Sequence, residues 1–393
     1  MASPSTRGKK STIVRSFQQT VVTIGLRAAF RTLEHLAPDV GGRLALRLWC
    51  TPPRRRTVPG ATPPPGTGGA TTFTGPHDGA AFSLEVDGGT VTGRVWGSGP
   101  LVYLAHGWGG SAGQLHGFVP TLVAAGYRVV SWDALSHGRS GPGALGPHRA
   151  TLAEFADVLA AVVRAHGPAH AVIAHSLGAS ATGVAVLDGL PVGRLVMIAP
   201  LADPLPYIRV FQHRLGIGPV VGERLVAAME SLVGRSITDY DLLSRARRSA
   251  GLPPLLVIHD RRDREVIPAD GAATAAAWPG RLYRTSGLGH GRILADPEVV
   301  RRAVDFVRQT GPDSTLPADT APPADNPLPA DTAPPADNPL PADTAPPADN
   351  PLPADTAPPA DNPVPADSAV PSGLDQIPGI PVERAHPMSQ GAA

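Results

Sequence analysis

Cysteine is almost missing from this chain: Cys50 stands alone among 393 residues. No disulfide can form within it, and nothing in its composition asks for an oxidising compartment. No apolar run reaches the roughly 18 residues that a membrane-spanning helix needs. The N-terminus opens with Arg7, Lys9 and Lys10, but Arg27 and Arg31 interrupt the apolar stretch that follows, and no small-residue cleavage site succeeds it. A signal peptide is therefore not expected, and the cytoplasm is the expected location. Metal ligands are thinly spread, with no His-Glu-x-x-His and no cysteine cluster, so no metal is expected. Gly107, Gly109 and Gly110 do not make a dinucleotide-binding G-x-G-x-x-G, no P-loop is present, and no cofactor is called for. Arg54-Arg55-Arg56 sits beside prolines without interleaved aromatics, so nucleic acid is not an expected partner.

Proline, by contrast, is abundant: 46 residues, too many for one compact fold. Leu316 to Pro363 is four identical copies of LPADTAPPADNP, followed by a degraded fifth. Such a repeat has no apolar face to bury, so 312–393 is expected to be a disordered, polyproline-II-like tail. It carries twelve acids against one base, Arg384, within a chain whose net charge is +1. Residues 1–60 carry eleven bases against Glu34 and Asp39. This segregation fits either plain solubilising extensions or contact with each other, a membrane surface or an acidic partner.

A Pro/Gly/Thr-rich linker is expected over 51–72, behind a basic N-terminal extension over 1–50. Ile13, Phe17, Val21 and Ile24, then Leu44, Leu46 and Leu48, recur at helical spacing and predict one or two amphipathic helices. Packing of these helices on the main domain is the expectation, with contact at a membrane surface the lesser alternative.

From Phe73 to residue 311 short apolar runs alternate with helix-like stretches. Phe82–Val86 and Val91–Trp96 flank Asp87-Gly88-Gly89, a hairpin signature. Leu101–Ala105, Arg128–Trp132, Ala171–Ala174, Leu195–Ala199, Leu255–Ile258 and Leu282–Arg284 follow as strands. Buried strands separated by helices predict an α/β fold with a mostly parallel sheet covered on both faces. In such sheets the working residues gather at the carboxyl ends of the strands.

Five polar motifs fall at strand ends: His106-Gly107-Trp108-Gly109-Gly110, Asp133 with Ser136-His137-Gly138-Arg139-Ser140, Ser176, His259-Asp260-Arg261-Arg262-Asp263, and Gly287-Leu288-Gly289-His290-Gly291. Ala174-His175-Ser176-Leu177-Gly178 joins a strand to a small-residue helix and reads as a nucleophile elbow, with Ala174 where a glycine is usual. Small residues two positions either side of the serine avoid a clash with the neighbouring strand and helix.

In this order the motifs resemble those of the α/β-hydrolases, over about Phe73 to Gln309. HGWGG resembles the family's oxyanion loop. DALSHGRS resembles its D-x-x-G-H-G-x-S segment, with Ser136 for a glycine, and HDRRDREV its H-G-x-x-D-x-x-V turn, with Asp260 for a glycine. The resemblance implies an eight-stranded sheet, Ser176 as nucleophile, His290 as general base and Asp263 as its orienting acid. It also implies an oxyanion hole from the backbone N–H groups of Trp108 and Leu177. Asp260 and Asp203 remain alternative acids. His106 and His137 are expected to brace their loops, and His175 either lines the pocket or packs inward. Cys50 is expected to be an ordinary buried thiol.

The strand pattern stops between Pro200 and Gly251, which the resemblance makes a cap over the site, about 201–250. Its Phe211, Leu215, Leu225, Met229 and Leu232 would suit an acyl chain, and Arg209, Arg214, Arg224 and Arg235 are either anion contacts or a solvated face. The expected activity is hydrolysis of a carboxylic ester or thioester without a cofactor. An acyltransferase on the same triad and a non-catalytic binding protein on the same fold are the alternatives.

Overall fold

A computed structural model describes residues 23–52, 79–278 and 280–309. The proline-rich repeats, the linker arginines and the apolar positions Ile13, Phe17 and Val21 lie outside the described residues. Two helices lead: α1, described over 23–36, and α2, Pro38–Trp49. The sheet and its crossings follow as β1 (Ala80–Val86), β2 (Gly89–Trp96), β3 (Leu101–Ala105), α3 (Phe118–Ala124), β4 (Arg128–Trp132), α4 (Leu152–His166), β5 (Ala169–His175), α5 (Leu177–Leu187) and β6 (Leu195–Ile198). Next come α6 (Pro204–Leu215), α7 (Pro219–Val233) and α8 (Leu242–Arg248), then β7 (Leu255–Asp260), α9 (Pro268–Ala277), β8 (Arg281–Thr285), α10 (Gly289–Arg292) and α11 (Pro297–Arg308).

The eight strands form one sheet in the order β1-β2-β4-β3-β5-β6-β7-β8. Only β2 runs antiparallel to its neighbours; β4, β3 and β5 to β8 are parallel. The β1–β2 hairpin closes through Asp87 and Gly88, both at positive φ, 48° and 77°. That pair of left-handed residues matches the right-handed twist of the strands, which explains the Asp-Gly signature. Every residue of β6 and β7 is buried, as strands covered on both faces must be, whereas the edge strand β1 is largely exposed.

Local signals set the helix ends. Thr151 and Glu154 cap α4 reciprocally, at 3.1 and 2.8 Å, and Asp296 accepts from the amides of Glu298 and Val299 at the start of α11. Helix α5 is buried on nearly all sides, which is why its sequence is small residues with little amphipathic pattern. Among the described residues no helix is long and apolar enough to cross a membrane.

The segment 201–250 differs from the expectation of an apolar lining for an acyl chain. Leu225 and Met229 are buried in a separate core with Phe30, Ala45, Ile208, Ile217 and Val221, flanked by Phe211, Leu215, Leu44, Leu48 and Trp49. The apolar faces of α6 and α7 are thus covered by α1 and α2. Gly42 permits the close approach, since a Cβ there would lie 2.6 Å from the Cβ of Arg224. Of the cap arginines, Arg209 and Arg214 are exposed, Arg224 pairs with Asp39 at 3.1 Å, and Arg235 pairs with Asp188 at 2.8 Å.

Candidate active site

Ser176 is the single residue between β5 and α5, and its backbone sits at φ 53°, ψ −126°. A non-glycine residue at positive φ is strained, and the surrounding bonds must hold it there. Ser176 N donates to Ile198 O at 2.8 Å, while the amides of Ala179 and Ser180 donate to Ser176 O. Two residues on, a Cβ at Gly178 would run into the backbone carbonyls of His106 and Ala105, so the small residue lets α5 sit against the end of β3. Ala174, where the usual pattern has glycine, is fully buried in the core.

The three residues expected from motif order meet in one hydrogen-bonded chain. Ser176 Oγ lies 3.0 Å from His290 Nε2, and His290 Nδ1 lies 2.7 Å from Asp263 Oδ2. Asp263 Oδ1 accepts from the amides of Glu265 and Val266 at 2.8 and 3.1 Å. Burial opposes ionisation of Asp263. Hydrogen bonds from His259 and His290, the charge at His290 and the Glu265 amide nevertheless hold its carboxyl well below the usual carboxylate range.

The alternative acids have other partners. Asp260 accepts from Thr285 Oγ1 at 2.7 Å, Leu288 N at 2.9 Å and Arg262 N at 2.8 Å. It fastens the end of β8 and the turn that carries His290, which accounts for a carboxylate where the resembling pattern has glycine. Asp203 accepts from Leu205 N at 2.9 Å and caps α6.

Leu177 follows the serine at the start of α5, and the loop that carries Trp108 approaches it at Gly107, where a Cβ would lie 2.9 Å from the Cβ of Ser176. Around Trp108 the amides are engaged: Gly107 N donates to Gln114 Oε1, Gly109 N to His137 Nε2 and Gly110 N to Gly107 O. Among the described residues the amides of Trp108 and Leu177 have no such partner. Gln114 and Asp133 were not foreseen as parts of this loop's support. Asp133 accepts from Ala112 N at 2.7 Å and Arg139 N at 2.8 Å, tying the glycine-rich loop to the segment after β4. Ser136 sits at φ 62°, where glycine would be easier, and its hydroxyl donates to Gly146 O and accepts from Gly143 N.

The remaining histidines divide as expected. His106 Nε2 accepts from Ala134 N at 2.9 Å, and His137 Nδ1 donates to Leu135 O at 2.9 Å, so both brace loops. Burial and the neighbouring His106 push His137 down to about 4. His175 packs inward: its Nε2 donates to His290 O at 3.1 Å and the two rings lie 4.6 Å apart. Cys50, the C-cap of α2, is buried, and burial pushes its thiol up to about 12.

Residues 99–282 match the sequence model of a family described as serine aminopeptidase, S33. With its eight-stranded, mostly parallel sheet the chain has the α/β-hydrolase fold. Part of the chain is 41% identical over 58 residues to the uncharacterized hydrolase YraK of Bacillus subtilis (strain 168), covering 15% of this chain and 21% of that one. The chain thus matches about a fifth of the length of that curated relative. Similar solved structures include the esterase RhEst1 of Rhodococcus sp. ECU1013, 20% identical, with a TM-score of 0.43 over 58% of this chain and 98% of that one. A CIB-like hydrolase of Thermoplasma acidophilum is 20% identical, with a TM-score of 0.44 over 59% of this chain and 99% of that one.

Proposed function

We propose that this α/β-hydrolase is a serine hydrolase that cleaves a carboxylic ester or thioester through an acyl-serine intermediate. The observation that carries the reading is the continuous chain from Ser176 Oγ to His290 to Asp263, at 3.0 and 2.7 Å. A serine hydroxyl is a poor nucleophile until an adjacent imidazole takes its proton. Asp263 accepts from Nδ1, which leaves the Nε2 lone pair facing Ser176.

As Ser176 Oγ attacks the carbonyl carbon, its proton passes to His290 Nε2 and the carbonyl oxygen becomes an oxyanion. The N–H groups of Trp108 and Leu177 are assigned to that oxyanion; losing one such donor costs about 3 kcal/mol in the transition state. Collapse of the intermediate breaks the bond to the alcohol or thiol, which leaves with the proton from His290. In the second half, His290 takes a proton from water, the hydroxide attacks the acyl carbon, and the acid departs as Ser176 regains its proton. No cofactor enters this sequence.

A second reading has its own observation. The matched family is described for aminopeptidases, and the exposed Glu265 carboxylate lies 3.9 Å from His290 Nε2, where it would suit a substrate ammonium. Aminoacyl p-nitroanilides tested beside p-nitrophenyl esters separate the two.

The primary test is labelling by a fluorophosphonate, comparing the wild type with Ser176→Ala. Labelling that disappears in the variant is expected. A well-folded wild type that is never labelled would sink the proposal.

A further inference from the structure

A second histidine lies against the carboxylate of Asp263. His259, in β7, is 1% exposed, and its Nε2 lies 3.4 Å from Asp263 Oδ2 and 3.2 Å from Val266 O. Both neighbours are acceptors, so Nε2 carries the ring proton. His259 Nδ1 is buried and has no hydrogen-bond partner among the described residues. It faces α9, where Gly271 leaves room for the ring and any side chain would collide with it. The ring is thus clamped with its one N–H directed between Val266 O, which accepts it at 3.2 Å, and Asp263 Oδ2 at 3.4 Å, at the cost of an unmatched lone pair at the other edge.

We propose that His259 is a positioning residue for the reaction: by sharing Asp263 Oδ2 with His290, it fixes the carboxylate and limits the basicity of His290. This rests on the triad reading above. A carboxylate oxygen that accepts two N–H groups offers each less charge than it would offer one alone. His259 therefore tempers how strongly Asp263 stabilises the His290 imidazolium and keeps Oδ2 from rotating away from His290 Nδ1.

The charged surroundings are few. Asp263 faces His259 from the turn after β7, and Asp270 acts on it from α9. Asp270 is itself held by Tyr207 Oη of α6 at 2.8 Å and by Ala202 N at 3.1 Å. Around His290 lie Asp263, the Glu265 carboxylate at 3.9 Å and the His175 ring.

The experiment is the pH dependence of the fluorophosphonate labelling rate, which needs no natural substrate. It compares wild type, His259→Leu and His259→Gln, with folding checked by circular dichroism. Removing the donor should move the acidic limb upward by roughly half a pH unit and slow labelling, whereas glutamine, which restores an N–H near the Nε2 position, should return the limb toward the wild type. A folded leucine variant with an unmoved limb, or a glutamine variant shifted as far as leucine, overturns the proposal. The protonated nitrogen of His259 can also be read in the unmutated protein by nitrogen-15 NMR. A proton on Nε2 near neutral pH is expected, and one on Nδ1 alone overturns the proposal. A wild type that never labels would instead count against the serine hydrolase reading, and the NMR result would still judge this one.

Discussion

Asp260 and Asp263 are three residues apart and face different partners: Asp263 Oδ2 meets His290 Nδ1 at 2.7 Å, whereas Asp260 Oδ2 accepts from Thr285 Oγ1 and Leu288 N. A carboxylate that ends β7 and one in the turn after it therefore do separable work. One orients the imidazole, and the other holds the backbone that presents it.

Asp263→Asn should lower kcat on any ester the protein cleaves by roughly 10⁴, because an amide that donates to Nδ1 favours the wrong tautomer. Asp260→Asn should keep far more turnover but lose about 2 kcal/mol of stability, since an amide NH₂ would face donors. Steady-state kinetics beside urea denaturation checks both. Equal loss of turnover in the two variants would contradict this division.

Acidification should weaken the fold through two buried histidines. Burial pushes both His116 and His137 down to about 4 from an ordinary 6.5. Below pH 6.5 the unfolded chain takes up protons that these folded sites refuse, so stability is lost between about 6.5 and 4. Protonation of His137 Nε2 would also break its bond from Gly109 N. Melting temperature measured across that window should fall, and more shallowly in His137→Gln.

Gly178→Ala should cost more than about 2 kcal/mol, because the added methyl meets backbone carbonyls that cannot swing aside. The serine turn would be displaced with α5. Thermal unfolding and fluorophosphonate labelling should therefore fall together, and an unaltered melting temperature would refute the packing argument.

Glu34→Ala should loosen the start of α7. Glu34 Oε1 and Oε2 accept from the amides of Val220 and Val221 at 2.8 and 3.1 Å, a task that Gly218 at the N-cap has no side chain to perform. A loss of about 1 kcal/mol is expected, with faster amide exchange at Val220 and Val221.

The Glu34 contact also marks where the sequence stopped being readable. The strands, the Asp87-Gly88 turn and the order of Ser176, Asp263 and His290 follow from local apolar runs and short motifs, which act within a few residues. Glu34 meets its partners 186 and 187 residues away, and no periodicity carries that information. Likewise Leu225 and Met229 read as a lining suited to an acyl chain, and nothing local to them shows that Phe30 and Ala45 cover them. Asp260 was visible as a rival acid. Its role became clear only once β8 paired with β7 and brought Thr285 alongside.

The union of α1 and α2 with α6 and α7 ties the amino-terminal helices to the segment between β6 and β7. Any movement of α6 and α7 would carry α1 and α2 along as a four-helix block, because freeing α6 and α7 alone would bare Ile208, Leu225 and Met229 to water. Tyr207 bonded to Asp270 acts as a latch between that block and the sheet's carboxyl edge. The amino-terminal helices thus add mass and stiffness to a segment that lies far from them in the chain.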